Sequence, residues 1–123
     1  MLKVIIVDDE QFIAQGLQAL IDWNAAGYEV AAVLSDGQEA LEYIKKLPVD
    51  LVITDVMMPK MTGTETIAKL KQIEGYNIPT IALTANAISG MKEKYMKAGF
   101  DGYLSKPIDK LELNRIINDF LNK

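Results

Sequence analysis

Asp8, Asp9 and Asp55 supply carboxylates, Thr84 a hydroxyl and Lys106 an ammonium, and the spacing of these residues lets them work together. Leu2 to Val7 runs into Asp8-Asp9-Glu10, Leu51-Val52-Ile53-Thr54 into Asp55, Ile78 to Leu83 into Thr84, and Asp101 to Ser105 into Lys106-Pro107. Short apolar runs of this kind suit strands buried on both faces, each delivering a polar group at its exit. In a doubly wound parallel sheet those exits share one edge, so residues far apart in sequence converge there. Three carboxylates in one crevice repel unless a cation sits among them, and one ammonium does not balance them. The chain has no Cys and no His, which removes thiol and imidazole nucleophiles, disulfides and the usual zinc sites. Oxygen donors alone favour Mg²⁺, an ion that keeps several waters and prefers sites shared with a phosphoryl group.

Taken singly, each residue has a plainer role. Asp8-Asp9 could cap a helix, and Asp55 could be a turn carboxylate. Thr84 could be an ordinary strand residue, and Lys106 a solvated loop lysine. Met57, Met58 and Met61 suit packing, and Tyr103 suits a sheet edge. The common placement of the polar groups at strand exits is what favours the shared site.

The elements that must position them alternate along the chain. After the first strand, Ile13, Leu17, Leu20 and Ile21 form an amphipathic stripe that predicts a helix ending near Trp23-Asn24. Tyr28 to Leu34 is expected as an edge strand, and Ser35-Asp36-Gly37-Gln38 has capping-box spacing with Ser35 as N-cap. The helix it opens buries Ala40, Leu41 and Ile44 and closes before Pro48. Met57-Met58-Pro59 stops the strand that ends in Asp55, because proline donates no ladder hydrogen bond. Thr62-Gly63-Thr64-Glu65 opens a helix with Ile67 and Leu70 inside. A short helix over Gly90 to Ala98, stopped by Gly99, has thin apolar content and is expected to be the least firmly anchored element. The last helix starts at Asp109 and carries the stripe Leu113, Ile116, Ile117, Phe120, Leu121. Five strands and five helices in alternation imply an α/β fold with parallel strands and right-handed crossovers.

A length of 123 residues, half of them hydrophobic, predicts a single globular domain over 1–123. The net charge of −4 argues against direct nucleic-acid binding, which needs a basic face. The N-terminal apolar run is too short for a signal peptide, and no stretch approaches the roughly 18 apolar residues of a membrane span. The expected location is the cytoplasm.

End to end, the chain resembles the receiver domains of two-component response regulators, chemotaxis-regulator-like in organisation. The matching motifs are Val7-Asp8-Asp9-Glu10, Thr54-Asp55-Val56-Met57-Met58-Pro59-Lys60-Met61-Thr62-Gly63, Ala82-Leu83-Thr84-Ala85-Asn86 and Tyr103-Leu104-Ser105-Lys106-Pro107. The resemblance implies a (βα)5 flavodoxin-like doubly wound parallel sheet of strand order 2-1-3-4-5 with helices on both faces. It implies Asp55 as phosphoacceptor, receiving a phosphoryl group from the phosphohistidine of a histidine kinase or histidine phosphotransfer protein. Mg²⁺ would be held by Asp8, Asp9, Asp55 and the backbone carbonyl of Met57. Lys106 would pair with a phosphoryl oxygen, with a cis bond to Pro107, while Thr84 and Tyr103 would be the switch hydroxyl and switch aromatic. The output would be a two-state surface on helix 4, strand 5 and helix 5, facing an output domain or a second copy. Such a domain is a phosphoacceptor switch, catalysing only its own phosphorylation and dephosphorylation.

Met57 and Asn86 stand where the family varies, and both are expected to set the lifetime of the phosphoryl group. Bulky Met57 would hinder the attacking water and give a long-lived state. Thr62 stands where the family often has Asp and can serve as an N-cap. The half around Gly37-Gln38-Glu39-Ala40 resembles receivers attached to transcription factors, and Ile81 to Ala87 resembles receivers fused to hybrid sensor kinases. A flavin binder of the same sheet order would need a hydroxyl- and glycine-rich loop in place of Asp8-Asp9-Glu10, and no nucleotide-binding glycine loop occurs. A haloacid-dehalogenase-type phosphatase would need an acid where Met57 stands. A receiver-like module that is never phosphorylated remains as the alternative, weakened by the intact Asp55, Thr84 and Lys106.

Overall fold

The computed structural model describes residues 2–55, 63–73, 76–84, 91–106 and 108–121. The elements are β1 (Leu2–Val7), α1 (Gln11–Leu20), β2 (Tyr28–Leu34), α2 (Gly37–Lys46), β3 (Leu51–Asp55), α3 (Gly63–Lys71), β4 (Thr80–Thr84), α4 (Met91–Ala98), β5 (Gly102–Ser105) and α5 (Lys110–Leu121). They form one sheet of order β2-β1-β3-β4-β5, with every neighbouring pair parallel. This is the expected doubly wound, flavodoxin-like arrangement, and β2 is an edge strand as anticipated.

Alternation along the central strands sorts the helices onto two faces. Val4 and Ile6 of β1 join Leu51, Ile53, Ile81 and Leu83 against Ala14 and Leu17 of α1 and Leu113 and Ile117 of α5. Ile5, Val7 and Val52 point the other way, against Ala40 of α2, and Ala82 meets Ile67 of α3 and Tyr95 of α4. Burial on both faces is why β3 and β4 are continuous apolar runs in the sequence, buried at every position.

Register then aligns the exits. Val7 pairs with Thr54, Asp55 with Leu83 and Thr84 with Ser105. The Lys106 amide donates to the Thr84 carbonyl at 2.8 Å. The four polar termini therefore meet along one edge.

Local boundaries differ from expectation in four places, the simplest being β5, which begins at Gly102 rather than Asp101. Helix α1 ends at Leu20, earlier than Trp23-Asn24, because Ile21 is already extended at φ −137°. The chain then turns, with the Asp22 carboxylate accepting from the Ala25 amide at 3.1 Å. Trp23 folds back into the core, where its indole donates to the Leu17 carbonyl and its ring meets Tyr28 edge-on. Helix α2 is capped by Asp36, which accepts from the Glu39 amide at 2.9 Å, rather than by Ser35. The Ser35 amide donates instead to the Glu39 carboxylate at 3.1 Å, so the reciprocal pairing is kept one residue over. Strand β4 begins at Thr80 rather than Ile78; its link to β3 starts at the Pro79 carbonyl, which accepts from Val52. No helix among the described residues is long and apolar enough to cross a membrane.

Candidate functional site

Asp8 stands one residue past β1 and Asp55 closes β3, and both are sealed from solvent, at 2% and 3% exposure. Each is held by a core strand, so neither carboxylate can withdraw to water without breaking the sheet. Asp9 and Glu10 remain exposed beside them. The Asp8 Oδ1 atom accepts from the Glu10 amide at 2.9 Å, which fixes the turn out of β1.

Lys106 reaches into this group from the end of β5. Its Nζ donates to Asp55 Oδ2 at 3.2 Å, stands 3.2 Å from Asp8 Oδ2 and lies 3.8 Å from Glu10 Oε1. The approach to Asp8 is an ion-pair contact without hydrogen-bond geometry, so the buried Asp8 Oδ2 has no hydrogen-bond partner among the described residues. Burial pushes the Asp8 carboxyl up from its ordinary value, and the charge of Asp55 adds to this; the Glu10 amide and Lys106 pull it back in part. Burial lowers Lys106, but the Asp55 and Asp8 carboxylates outweigh it and leave the ammonium raised above its ordinary value. Lys106 therefore stays charged at neutral pH, and the cluster still carries excess negative charge.

Asp8, Asp9, Glu10 and Asp55 each offer a carboxylate oxygen, all within 4.8 Å of one another. A hard divalent cation fits this donor set, since it is all oxygen and includes a buried oxygen that lacks a donor. The expected ligands Asp8, Asp9 and Asp55 are brought together. The backbone carbonyl of Met57 lies outside the described residues, as do Asn86, Thr62 and the Lys106–Pro107 bond. Glu10 was not among the expected ligands. It is the N-cap residue of α1 yet makes no side-chain capping bond, so its carboxylate turns to the cluster. The signal was the third acid of the Asp8-Asp9-Glu10 run.

Thr84 is buried at the exit of β4, and its Oγ1 is 2.8 Å from the Tyr95 hydroxyl. Tyr103 on β5 is half-buried and packs against the cluster of Ile67, Ala82, Tyr95 and Phe100. The two expected switch residues thus flank one tyrosine that sequence reasoning counted only as part of a thin apolar stripe.

The family model described as the response regulator receiver domain matches residues 4–118. Hybrid signal transduction histidine kinase I of Dictyostelium discoideum is 32% identical over 124 residues, covering 94% of this chain and 7% of that kinase. The chain therefore spans only a small part of that relative. Chemotaxis response regulator CheY4 of Vibrio cholerae has the same fold at a TM-score of 0.85 and 33% identity, with 98% of each chain covered. The receiver domain of sensor histidine kinase PA1611 from Pseudomonas aeruginosa PAO1 was solved with a magnesium ion coordinated in its active site cleft. It matches at a TM-score of 0.83 and 28% identity, covering 99% of this chain and 98% of that one.

Proposed function

Because this chain belongs to the response regulator receiver domain family, we propose that it is a phosphorylation-activated switch with Asp55 as the acceptor. A carboxylate oxygen of Asp55 forms the new P–O bond while the P–N bond of a donor phosphohistidine breaks and the departing imidazole nitrogen takes up a proton. The chemistry asks little covalent work of the protein, so positioning and charge compensation dominate. Lys106, within 3.2 Å of Asp55 Oδ2, is placed to offset charge on the transferred group. Asp8, Asp9 and Asp55, with Glu10 beside them and the Met57 carbonyl, are the proposed Mg²⁺ ligands. Bound Mg²⁺ would neutralise charge on the phosphoryl oxygens.

Phosphorylation raises the charge at Asp55 from one to about two negative and adds strong acceptors, as it does on a serine. The Thr84 hydroxyl then donates to the new oxygens and Tyr103 turns inward, changing the α4–β5–α5 face. Met57 and Asn86 are proposed to set how long the phosphoryl group lasts. The proposed partners are a cytoplasmic histidine kinase or phosphotransfer protein on the input side, and an output domain or second copy on the other. Residues 1–123 act as one receiver unit.

The observation that carries this reading is the buried Asp8 Oδ2 without a hydrogen-bond partner, set beside Asp55 and reached by a single ammonium. Incubation with acetyl phosphate and Mg²⁺ should add one phosphoryl group by intact mass. EDTA or Asp55→Asn should abolish it, and Met57→Asn should shorten the decay. Labelling that survives Asp55→Asn, or none in wild type, sinks the proposal and leaves a binding module.

A further inference from the structure

We propose that Tyr95 is a positioning residue that holds the Thr84 hydroxyl in the unphosphorylated state and tethers α4 to it. The inference rests on the phosphoacceptor reading above and adds a component to it. The Tyr95 hydroxyl and Thr84 Oγ1 lie 2.8 Å apart, in a buried setting where either atom can donate. Tyr95 is 4% exposed and Thr84 2%, so water does not replace the bond when it breaks.

Tyr95 is also the buried side chain among those described on α4. Glu93, Lys94, Met96 and Lys97 are exposed and Ala98 is only half-buried. The Tyr95 ring packs with Ile67 of α3, Ala82 of β4 and Phe100, meeting the last edge-to-face at 6.2 Å between centroids. Among the described side chains of α4, Tyr95 is the buried one, with Ala98 packed beside it, and Tyr95 ends on the hydroxyl that phosphorylation recruits.

When Thr84 turns to a phosphoryl oxygen on Asp55, the Tyr95 hydroxyl loses its partner in a dry site. An unpaired buried hydroxyl is costly. The ring must follow the threonine or leave the pocket, and α4 moves with it. The same bond resists activation, because it stabilises only the arrangement with Thr84 withdrawn. A group that favours one state of a two-state equilibrium sets its population.

Tyr95→Phe removes the hydroxyl and keeps the ring. With Mg²⁺ and beryllofluoride as the probe, followed by fluorine NMR, this variant should half-saturate at a concentration about 5-fold lower than wild type, the factor that one neutral hydrogen bond represents. In a Thr84→Val background the same substitution should change half-saturation by less than about 2-fold, because the coupled partner is gone. Wild-type amide exchange supplies a check that needs no variant: beryllofluoride should speed exchange in α4 and leave α5 unchanged. An unchanged or weaker affinity in Tyr95→Phe, an equal gain in both backgrounds, or equal exchange responses of α4 and α5 overturns the tether alone. Failure of wild type to bind beryllofluoride overturns the phosphoacceptor reading, and the tether with it.

Discussion

Helices α4 and α5 flank the same short strand, β5, and are held by different physics. Helix α5 buries Leu113 and Ile117 completely against β1, β3, β4 and β5, with Ile116 and Phe120 packed around them. Helix α4 buries Tyr95, while the charged residues around it face water. Hydrocarbon burial does not respond to a change of charge some distance away. A hydrogen bond to Thr84, at the edge where Asp8, Asp55 and Lys106 meet, would respond in the proposed switch. In the proposed switch this difference would let one face move while the rest stays fixed, the moving element being the one whose anchor is polar and shared with the site.

The largest test of this contrast is Leu113→Ala. Truncating a side chain with no solvent exposure should cost about 2–5 kcal/mol, the transfer loss plus the cavity it leaves. Urea denaturation followed by circular dichroism would measure it. Mg²⁺-dependent labelling of Asp55 should persist at temperatures where the variant is folded, since α5 lends no group to the cluster. A cost below about 1 kcal/mol would show that α5 is not the fixed partner.

A smaller effect of opposite sign is expected on the charged side. Asp8 is pushed up from its ordinary value, by burial first and by Asp55 second. A carboxyl with a raised folded-state value gives stability that is fully present below its unfolded value and is lost as pH rises through the folded one. Without Mg²⁺, wild type should therefore lose stability relative to Asp8→Asn as pH rises above the ordinary carboxylate range of about 4. At pH 7 in EDTA the variant should be the more stable by on the order of 1 kcal/mol. Added Mg²⁺ should reverse the order, because a ligand that binds only the folded state stabilises by RT ln(1 + [L]/Kd). If wild type is the more stable in EDTA, the cluster does not store repulsion and α4 has no charge to answer to.

Much of this was legible in the sequence, for identifiable reasons. The strands β1 and β3 were found to the residue because burial on both faces leaves uninterrupted apolar runs. The convergence of Asp8, Asp55, Thr84 and Lys106 followed from topology alone, since parallel strands put their exits on one edge. The thin stripe of α4 was legible too: Tyr95 is buried, while Glu93, Lys94, Met96 and Lys97 are exposed. What stayed hidden depended on orientation. Glu10 turns to the cluster because of how the chain leaves β1, and Asp36 rather than Ser35 caps α2, accepting from the Glu39 amide while Ser35 donates to the Glu39 carboxylate. Tyr95 was visible as an apolar body, but its hydroxyl partner lies eleven residues upstream, across a connection whose course no periodicity encodes. Trp23 illustrates the same limit: the helix was expected to end near it, and the turn at Asp22 sent it into the core.

The finest comparison is between two tyrosine hydroxyls, one bonded to α5 and one carried by α4. The Tyr28 hydroxyl on β2 donates to the Ile117 carbonyl of α5 at 2.8 Å, tying edge strand to helix across the core. Burial raises Tyr28 above its ordinary value, so it remains a protonated donor throughout the neutral range. Its partner is a backbone carbonyl on a helix held by hydrocarbon, with no part in the charged cluster. Tyr28→Phe should therefore cost about 0.5–1 kcal/mol of stability, the net worth of one neutral hydrogen bond. It should leave beryllofluoride half-saturation unchanged. Tyr95→Phe should cost the unphosphorylated protein a similar amount of stability but, unlike Tyr28→Phe, change half-saturation markedly. A shift of half-saturation in Tyr28→Phe as large as that in Tyr95→Phe would mean that activation loosens the whole fold, and that the two helices differ in degree rather than in kind.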